Sequence, residues 1–459
     1  QVKNIVERLE RDRALTELAR GADPVPGGTA ARPGTALIGA PAMPNAAVST
    51  NVGGMGAHWT AACPRPVDDE VPGFLDPVTL DEALTRAEEL LAVTTHAFDQ
   101  APLTGAVQGV LGELFDRPGR RAVGPMPVAV TVAQDGTLHW TGPAILAGDL
   151  WQRPGVTLRS GAVVTRILVD GGRATAVEVT DAGTGRREIL DARVVIVAAD
   201  AFRTPQLLWA SGVRPAALGR YLTEHPQIMA ASILDDRYVP DGVPVDVDLP
   251  VSSAAAPGGG AIVPVSGVSW VPYAPDRPFH GQVMQMDASP MPLEPGVTVR
   301  PGQVVGLGWF CRKELSPDNR VWFDDGATDE YGLPAIRIDY TLSAGDERAI
   351  ATATDEIGRA AEALGRPLGE PFLMPAGSSL HYLGTTRMGP ADDGTSVCDP
   401  TGRVWGTENL YVGGNNLIPT ATACNPTLTA VALGVLTARA VRERVAALVD
   451  TPNSARGDS

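Results

Sequence analysis

The chain has 459 residues, enough for two domains or one large core, and its 53 acidic residues against 37 basic give a net charge of −16. A surface of that sign repels nucleic acid and anionic membranes, so neither is expected as a partner, and an anionic substrate is disfavoured. Four cysteines, Cys63, Cys311, Cys398 and Cys424, lack metal-ligand spacing and are too few for a disulfide framework, so reduced thiols, a cytoplasmic location and no metal are the expectation.

In chain order, the capping pattern Thr79-x-x-Glu82 predicts a helix from Leu80 to about Phe98. Val156 to Val164 alternates like a strand, and Val163 to Val179 reads as two strands turned at Gly171-Gly172. The apolar run Val194-Val-Ile-Val-Ala-Ala has the composition of a parallel strand buried on both faces, with a helix expected after it. From about 226 to 374 short strands mix with Pro and Gly turns, including Ala254-Ala-Ala-Pro-Gly-Gly-Gly260, which reads as a mobile loop. A helix from Ala344 to Leu364 ends at Gly365, and a last helix from Pro426 to about Leu448 precedes a polar, frayed tail. No run of about 18 apolar residues reads as a membrane span.

Three blocks carry chemistry. His381 opens His-Tyr-Leu-Gly-Thr-Thr-Arg-Met-Gly, and Asn425 opens Asn-Pro-Thr-Leu-Thr-Ala 44 positions later, with Gly413-Gly414-Asn415-Asn-Leu-Ile-Pro-Thr between them. Asn425 is expected to cap the last helix, with Pro426 as its first residue. The amides of Thr427 and Leu428, with the positive end of the helix dipole, then form a site for developing negative charge. An imidazole beside such a site can take the proton of an alcohol. Read singly, His381 is equally well a satisfied core histidine and Asn425 an ordinary cap; the combination points to a site. The second block is Val48-Ser-Thr-Asn-Val-Gly53-Gly54-Met-Gly-Ala-His58-Trp59-Thr60-Ala-Ala-Cys-Pro64, whose glycines permit close approach to a flat ligand. The third runs from Val194 to Gly212 and on through Tyr221-Leu-Thr-Glu224-His225-Pro226.

Together these blocks resemble the flavin site of glucose-methanol-choline (GMC) oxidoreductases, nearest to pyranose oxidases and bacterial sugar or glycoside 3-oxidases. The resemblance implies an α/β (α+β) fold: a Rossmann-like FAD-binding domain of the GMC and p-hydroxybenzoate hydroxylase type over residues 1–75, 150–225 and 375–459, with an inserted sheet-and-helix substrate domain over 76–149 and 226–374. FAD is the implied cofactor, contacted by Gly53, Gly54, His58, Trp59, Thr60, Val164, Gly414, Asn415, Pro426, Thr427 and Leu428. By the same resemblance His58 carries a covalent link to the flavin or simply packs near its ring, Thr60 faces flavin N5, and adenine lies at Val163-Val164.

In the implied reaction His381 is the base and Asn425 orients the alcohol oxygen. A secondary hydroxyl of a pyranose or glycoside, at C2 or C3, becomes a ketone, hydride passes to flavin N5, and O2 or another acceptor reoxidises the flavin. Pyranose oxidases use a glutamine in this neighbourhood for sugar hydroxyls, a part the resemblance gives to Gln282 or Gln285, and Trp309 to Glu314 resembles the segment that supplies them with an arginine, here Arg312. The two glutamines are three apart on an expected strand, so only one can face the cavity; a glutamine bonded to its neighbouring strand and an arginine paired with a carboxylate are the plain alternatives. The family signature Asn-Leu-x-Asp-His-Pro is varied here, and Glu224 and His225 are therefore read as structural. An alcohol or sterol oxidase, a flavin-containing lyase and a non-catalytic sugar-binding remnant are the competing readings, and the oligomeric state is open. The Gly-x-Gly-x-x-Gly turn that cradles the pyrophosphate in this fold is missing, so a further segment of roughly 40 to 60 residues is expected ahead of Gln1.

Overall fold

The structure, a computed structural model, describes residues 35–50, 52–99, 101–134, 138–240, 267–286, 297–300 and 302–450. The glycine-rich segment 254–260, the tail beyond residue 450 and residues 1–34 lie outside the described residues.

Helix α1 spans Pro77–Leu91, starting three residues earlier and ending seven earlier than the capping pattern at Thr79 predicts. Asp76 takes the cap position, accepting from the Thr79 amide at 2.8 Å, and Pro77 supplies the first helical residue, a pairing that suits both side chains better. Ala92, at φ 52°, then ends the helix in the left-handed region, before Phe98 is reached. Leu80, Ala83, Leu84, Ala87 and Leu91 form its buried stripe, each leucine contributing about 1.5–3 kcal/mol of burial. Helix α2, Thr104–Phe115, follows.

Strands β1 (Ala162–Asp170), β2 (Arg173–Asp181) and β3 (Arg187–Asp191) form an antiparallel meander. Its first turn is at Gly171-Gly172, whose φ values of 53° and 82° are those a two-residue hairpin turn demands. Residues 156–160 are irregular, so the alternation there does not extend the strand. Next come β4 (Val195–Val197), helix α3 (Asp200–Ala210), and the strands β5 (Gln227–Leu234), β6 (Val268–Val271), β7 (Phe279–Met286) and β8 (Val304–Cys311). Helix α4 occupies Ala344–Leu364, as expected, and the residue behind it, at φ 157°, is Gly365, where a Cβ would meet the Ile233 carbonyl oxygen at 2.2 Å. Strand β9 (Leu410–Val412) and helix α5 (Thr427–Asp450) complete the chain.

Two cores result. In one, α1 and α5 pack together over the parallel pair β4 and β9 and the meander. In the other, α2 and α4 cover an antiparallel sheet of order β5-β8-β7-β6, edged by residues 365–367 and 124–125. The stretch 76–149, expected to lie wholly with the substrate sheet, is divided: α1 belongs to the first core and α2 to the second. Residues 420–426 pass from the first core to the face of β7, and the site lies there. Among the described residues no helix is long and apolar enough to cross a membrane.

Candidate active site

His381 sits, half-buried, on a loop that Glu224 holds in place. The Glu224 carboxylate, 2% exposed, accepts from the Gly377 amide at 2.6 Å and the Ser379 hydroxyl at 3.1 Å. Burial raises its pKa to about 7 against the pull of those two donors. The imidazole of His381 lies against the Phe310 ring, centroids 5.3 Å apart, and its Nδ1 is 3.0 Å from Nδ1 of His225. His225, buried, has its other nitrogen 3.2 Å from the Thr422 hydroxyl. Burial, with His381 and His280 alongside, holds the His225 pKa well below the usual imidazole range, so this ring is neutral. Glu224 thus orders the loop, and His225 touches the His381 ring directly.

Asn425 faces His381 from the other side, its Nδ2 3.3 Å from His381 Nε2. The Gln282 amide Nε2 donates to Asn425 Oδ1 at 2.6 Å. An amide nitrogen only donates, so with Oδ1 turned to Gln282 the Asn425 Nδ2 must donate to a lone pair on His381 Nε2. That lone pair is what a base needs. The carboxamide is thus engaged by the site and does not cap the helix: the Ala430 amide bonds back to the Pro426 carbonyl, which puts Pro426 at the cap position and α5 from Thr427 onward, one residue later than expected. Glu70 fixes the approach, its buried Oε1 accepting from the amides of Ala423 and Cys424 at 2.7 and 3.0 Å. Burial raises its pKa as well.

These groups border a cavity of about 400 Å³ lined by Gly53, Gly56, His58, Trp59, Thr60, Thr141, Pro143, Ser379, His381, Asn415, Asn425 and Thr427, among others. Two segments far apart in sequence, 53–60 and 379–431, meet there. Gly53 is at φ 95°, and a Cβ on it would meet Pro143 at 2.6 Å, so this position needs glycine for both its backbone and its packing. The Trp59 indole donates to the Thr141 carbonyl at 3.0 Å, which fixes the ring against the wall.

The volume is in the range of small-molecule sites. Its loop sets Gly53 and Gly56 among the flat side chains of His58 and Trp59, and Thr427 in the first turn of α5 lies beside it, so these residues fit the ring end of a flavin. Of the other expected contacts, Pro426 and Leu428 are buried, so only their backbone can serve, while Gly54 and Gly414 border the cavity-lining residues without lining it themselves. Val164 is half-buried on β1 against the first core, away from this cavity.

Two expected substrate contacts are corrected. Gln285 points to the other face of β7, where its Oε1 accepts from the Thr104 hydroxyl of α2 at 2.8 Å, so Gln282 is the glutamine at the site. The Arg312 guanidinium donates to Asp69 and to the Tyr273 hydroxyl and borders a different cavity, with Glu314, Arg348 and Ala421. The pairing with Asp69 takes it out of the site. Sequence reasoning missed Glu70, Thr422 and Phe310, none of which carries a local signal; His225 stood in a motif but was set aside.

Residues 132–227 and 316–434 match the two GMC oxidoreductase domain families, amino-terminal and carboxy-terminal respectively. The chain is 49% identical to a C-glycoside 3-oxidase of Microbacterium trichothecenolyticum, over 97% of this chain and 89% of that protein. It is 33% identical to a pyranose 2-oxidase of Tricholoma matsutake, over 87% of this chain and 74% of that one. Among solved structures, an Aspergillus oryzae formate oxidase superposes with a TM-score of 0.64 at 15% identity, over 88% of this chain and 85% of that chain, a likeness of fold.

Proposed function

The chain belongs to the GMC oxidoreductase family, and on that premise we propose that it is an FAD-dependent oxidase that converts a secondary hydroxyl of a glycoside or pyranose, at C3, to a ketone. The observation that carries the chemistry is the His381 Nε2 lone pair, presented beside the Asn425 amide at the edge of a cavity walled by the Gly53 to Thr60 loop. When bound, FAD supplies the two-electron acceptor for the carbinol hydrogen, and O2 takes the electrons on. His381 takes the hydroxyl proton at Nε2. Asn425 Nδ2, aimed at the same point, donates to the substrate oxygen as charge develops on it. Gln282 holds Asn425 in that orientation and offers its own amide to a neighbouring hydroxyl. His58 and Thr60, both on the cavity wall, would hold the ring of a bound flavin, with His58 the residue that would carry a covalent link.

A glycoside at C3 is supported by the relative at 49% identity, a C-glycoside 3-oxidase. An alcohol or sterol oxidase needs an apolar cavity; this one carries His58, Thr60, Thr141, Ser379, Asn415, Asn425 and Thr427. The test is anaerobic mixing of the full-length protein with D-glucose, an aryl C-glucoside, their 3-deoxy analogues and benzyl alcohol, following flavin absorbance. The glycoside or glucose is expected to bleach the flavin and the 3-deoxy analogues are not. Fastest bleaching by benzyl alcohol would overturn the sugar reading, and no bleaching by any of them would favour a lyase.

A further inference from the structure

From the contacts around His381 we infer that His225 is a positioning residue, whose Nδ1 accepts the His381 Nδ1 proton and so locks the base with its lone pair at Nε2. The inference rests on the proposed role of His381 and extends it to a residue 156 positions earlier in the chain.

The argument is a count of donors and acceptors. Gln282 Nε2 donates to Asn425 Oδ1, so Asn425 Nδ2 is left to face His381 Nε2. A proton on that Nε2 would set two donors against each other at 3.3 Å. Neutral His381 therefore carries its proton on Nδ1, and the atom 3.0 Å from it is His225 Nδ1. Neutral His225 must then bear its own proton on Nε2, and the group waiting 3.2 Å from Nε2 is the Thr422 hydroxyl, an acceptor. Every nitrogen along the line from Gln282 to Thr422 has one role, and reversing any bond breaks another.

Position in the fold makes this arrangement stiff. His225 is 1% exposed at the entry to β5. Its ring meets the His381 ring edge-on, centroids 4.9 Å apart, and Phe310 of β8 packs against both imidazoles. Without His225 the Nδ1–H of His381 would lose this acceptor, and the ring would gain by turning or by shifting its proton to Nε2, where it can no longer act as base. A neutral imidazole in this place has a further consequence. It selects the tautomer without the negative charge that would hold His381 protonated before substrate arrives. Once His381 has taken the substrate proton, its Nδ1–H still has the His225 acceptor, and a hydrogen bond from a charged donor is stronger than one from a neutral ring.

The test uses the full-length holoenzyme, with D-glucose and an aryl C-glucoside as probes. His225→Leu, which removes the acceptor, should lower the rate of flavin reduction about 10- to 100-fold with little change in KM and undiminished FAD content. His225→Asn, whose Oδ1 falls near the lost Nδ1 and accepts the same proton, should recover the rate to within about threefold of wild type. Nitrogen-15 spectra of the histidine-labelled protein, with six histidines to resolve and His381 identified by its loss in His381→Gln, read the tautomer without turnover. The Nδ1–H form of His381 is expected in wild type and in His225→Asn, and an admixture of the Nε2–H form in His225→Leu. An Nε2–H tautomer in wild type overturns the inference, as does a His225→Leu rate within about threefold of wild type, or an Asn variant no better than Leu. If His225→Leu does not fold, the wild-type spectrum and the Asn variant decide. The Nδ1–H tautomer in a protein that oxidises no sugar or glycoside would sink the proposed function and leave the histidine pair standing.

Discussion

Replacing Gln282 with leucine tests the site through a residue that need never touch the flavin. Gln282 and Asn425 are 6% and 3% exposed and joined by one hydrogen bond of 2.6 Å. Leucine keeps most of the volume and removes the donor, leaving Asn425 Oδ1 buried without a partner. A stranded buried acceptor costs about 1–3 kcal/mol, and the carboxamide escapes that cost by rotating, which withdraws Nδ2 from His381. At about 1.36 kcal/mol per tenfold, the rate of flavin reduction should fall between about 5- and 150-fold. Asn425→Ala should be more severe in rate, and in stability it should cost about 1–3 kcal/mol because it strands the Gln282 donor in turn. Pro426, not Asn425, occupies the cap position of α5, so no cap is lost besides. In the double variant nothing is stranded, so the two losses should fall short of adding by about 1–3 kcal/mol. Stopped-flow reduction under anaerobic conditions gives the rates, and denaturant unfolding gives the stabilities. Losses that add to within about 0.5 kcal/mol would refute the reasoning.

His381→Ala should slow flavin reduction by about 100- to 10,000-fold while leaving FAD bound, measured by the same stopped-flow experiment alongside the flavin-to-protein absorbance ratio. Acid precipitation of the full-length protein decides the link at His58: yellow colour kept in the pellet and released by His58→Ala marks a covalent bond, whereas colour released from the wild type excludes it. Glu224 sets a pH dependence of stability. Its native pKa of about 7 lies above the ordinary 4.5, so its favourable contribution is complete below about pH 4.5 and lost as pH rises through about 7. Across that window the wild type should lose up to about 3 kcal/mol relative to Glu224→Gln, which stays neutral, as read by denaturant unfolding at pH 5 and 8; parallel pH profiles would count against it.

What the sequence by itself determined here is whatever depends on neighbours along the chain. Helix α4 was legible because an amphipathic run and the Gly365 that ends it act within the helix itself; the structure adds the cap, Ser343. The hairpin at Gly171-Gly172 was legible because paired glycines take two successive positive φ values at little cost. His381, Asn425 and the Gly53 to Thr60 loop were legible through a motif order resembling a known family. Competition between local signals was harder: Asp76-Pro77 and Thr79 both cap plausibly, as do Asn425 and Pro426, and the choice fell to which side chain the rest of the molecule leaves free.

Everything about direction needed the tertiary structure. A strand's period of two says that Gln282 and Gln285 face opposite ways, but only the packing of α2 on one face of β7 and of residues 420–426 on the other says which glutamine meets Asn425. Arg312 is withdrawn from the site by Asp69, 243 positions away. His225 is brought to His381 across 156 positions. Hydrogen bonds with such separations have no periodicity to announce them, because the pairing is settled by how two cores dock, and a donor's role in this site is set by what its partner is already bonded to.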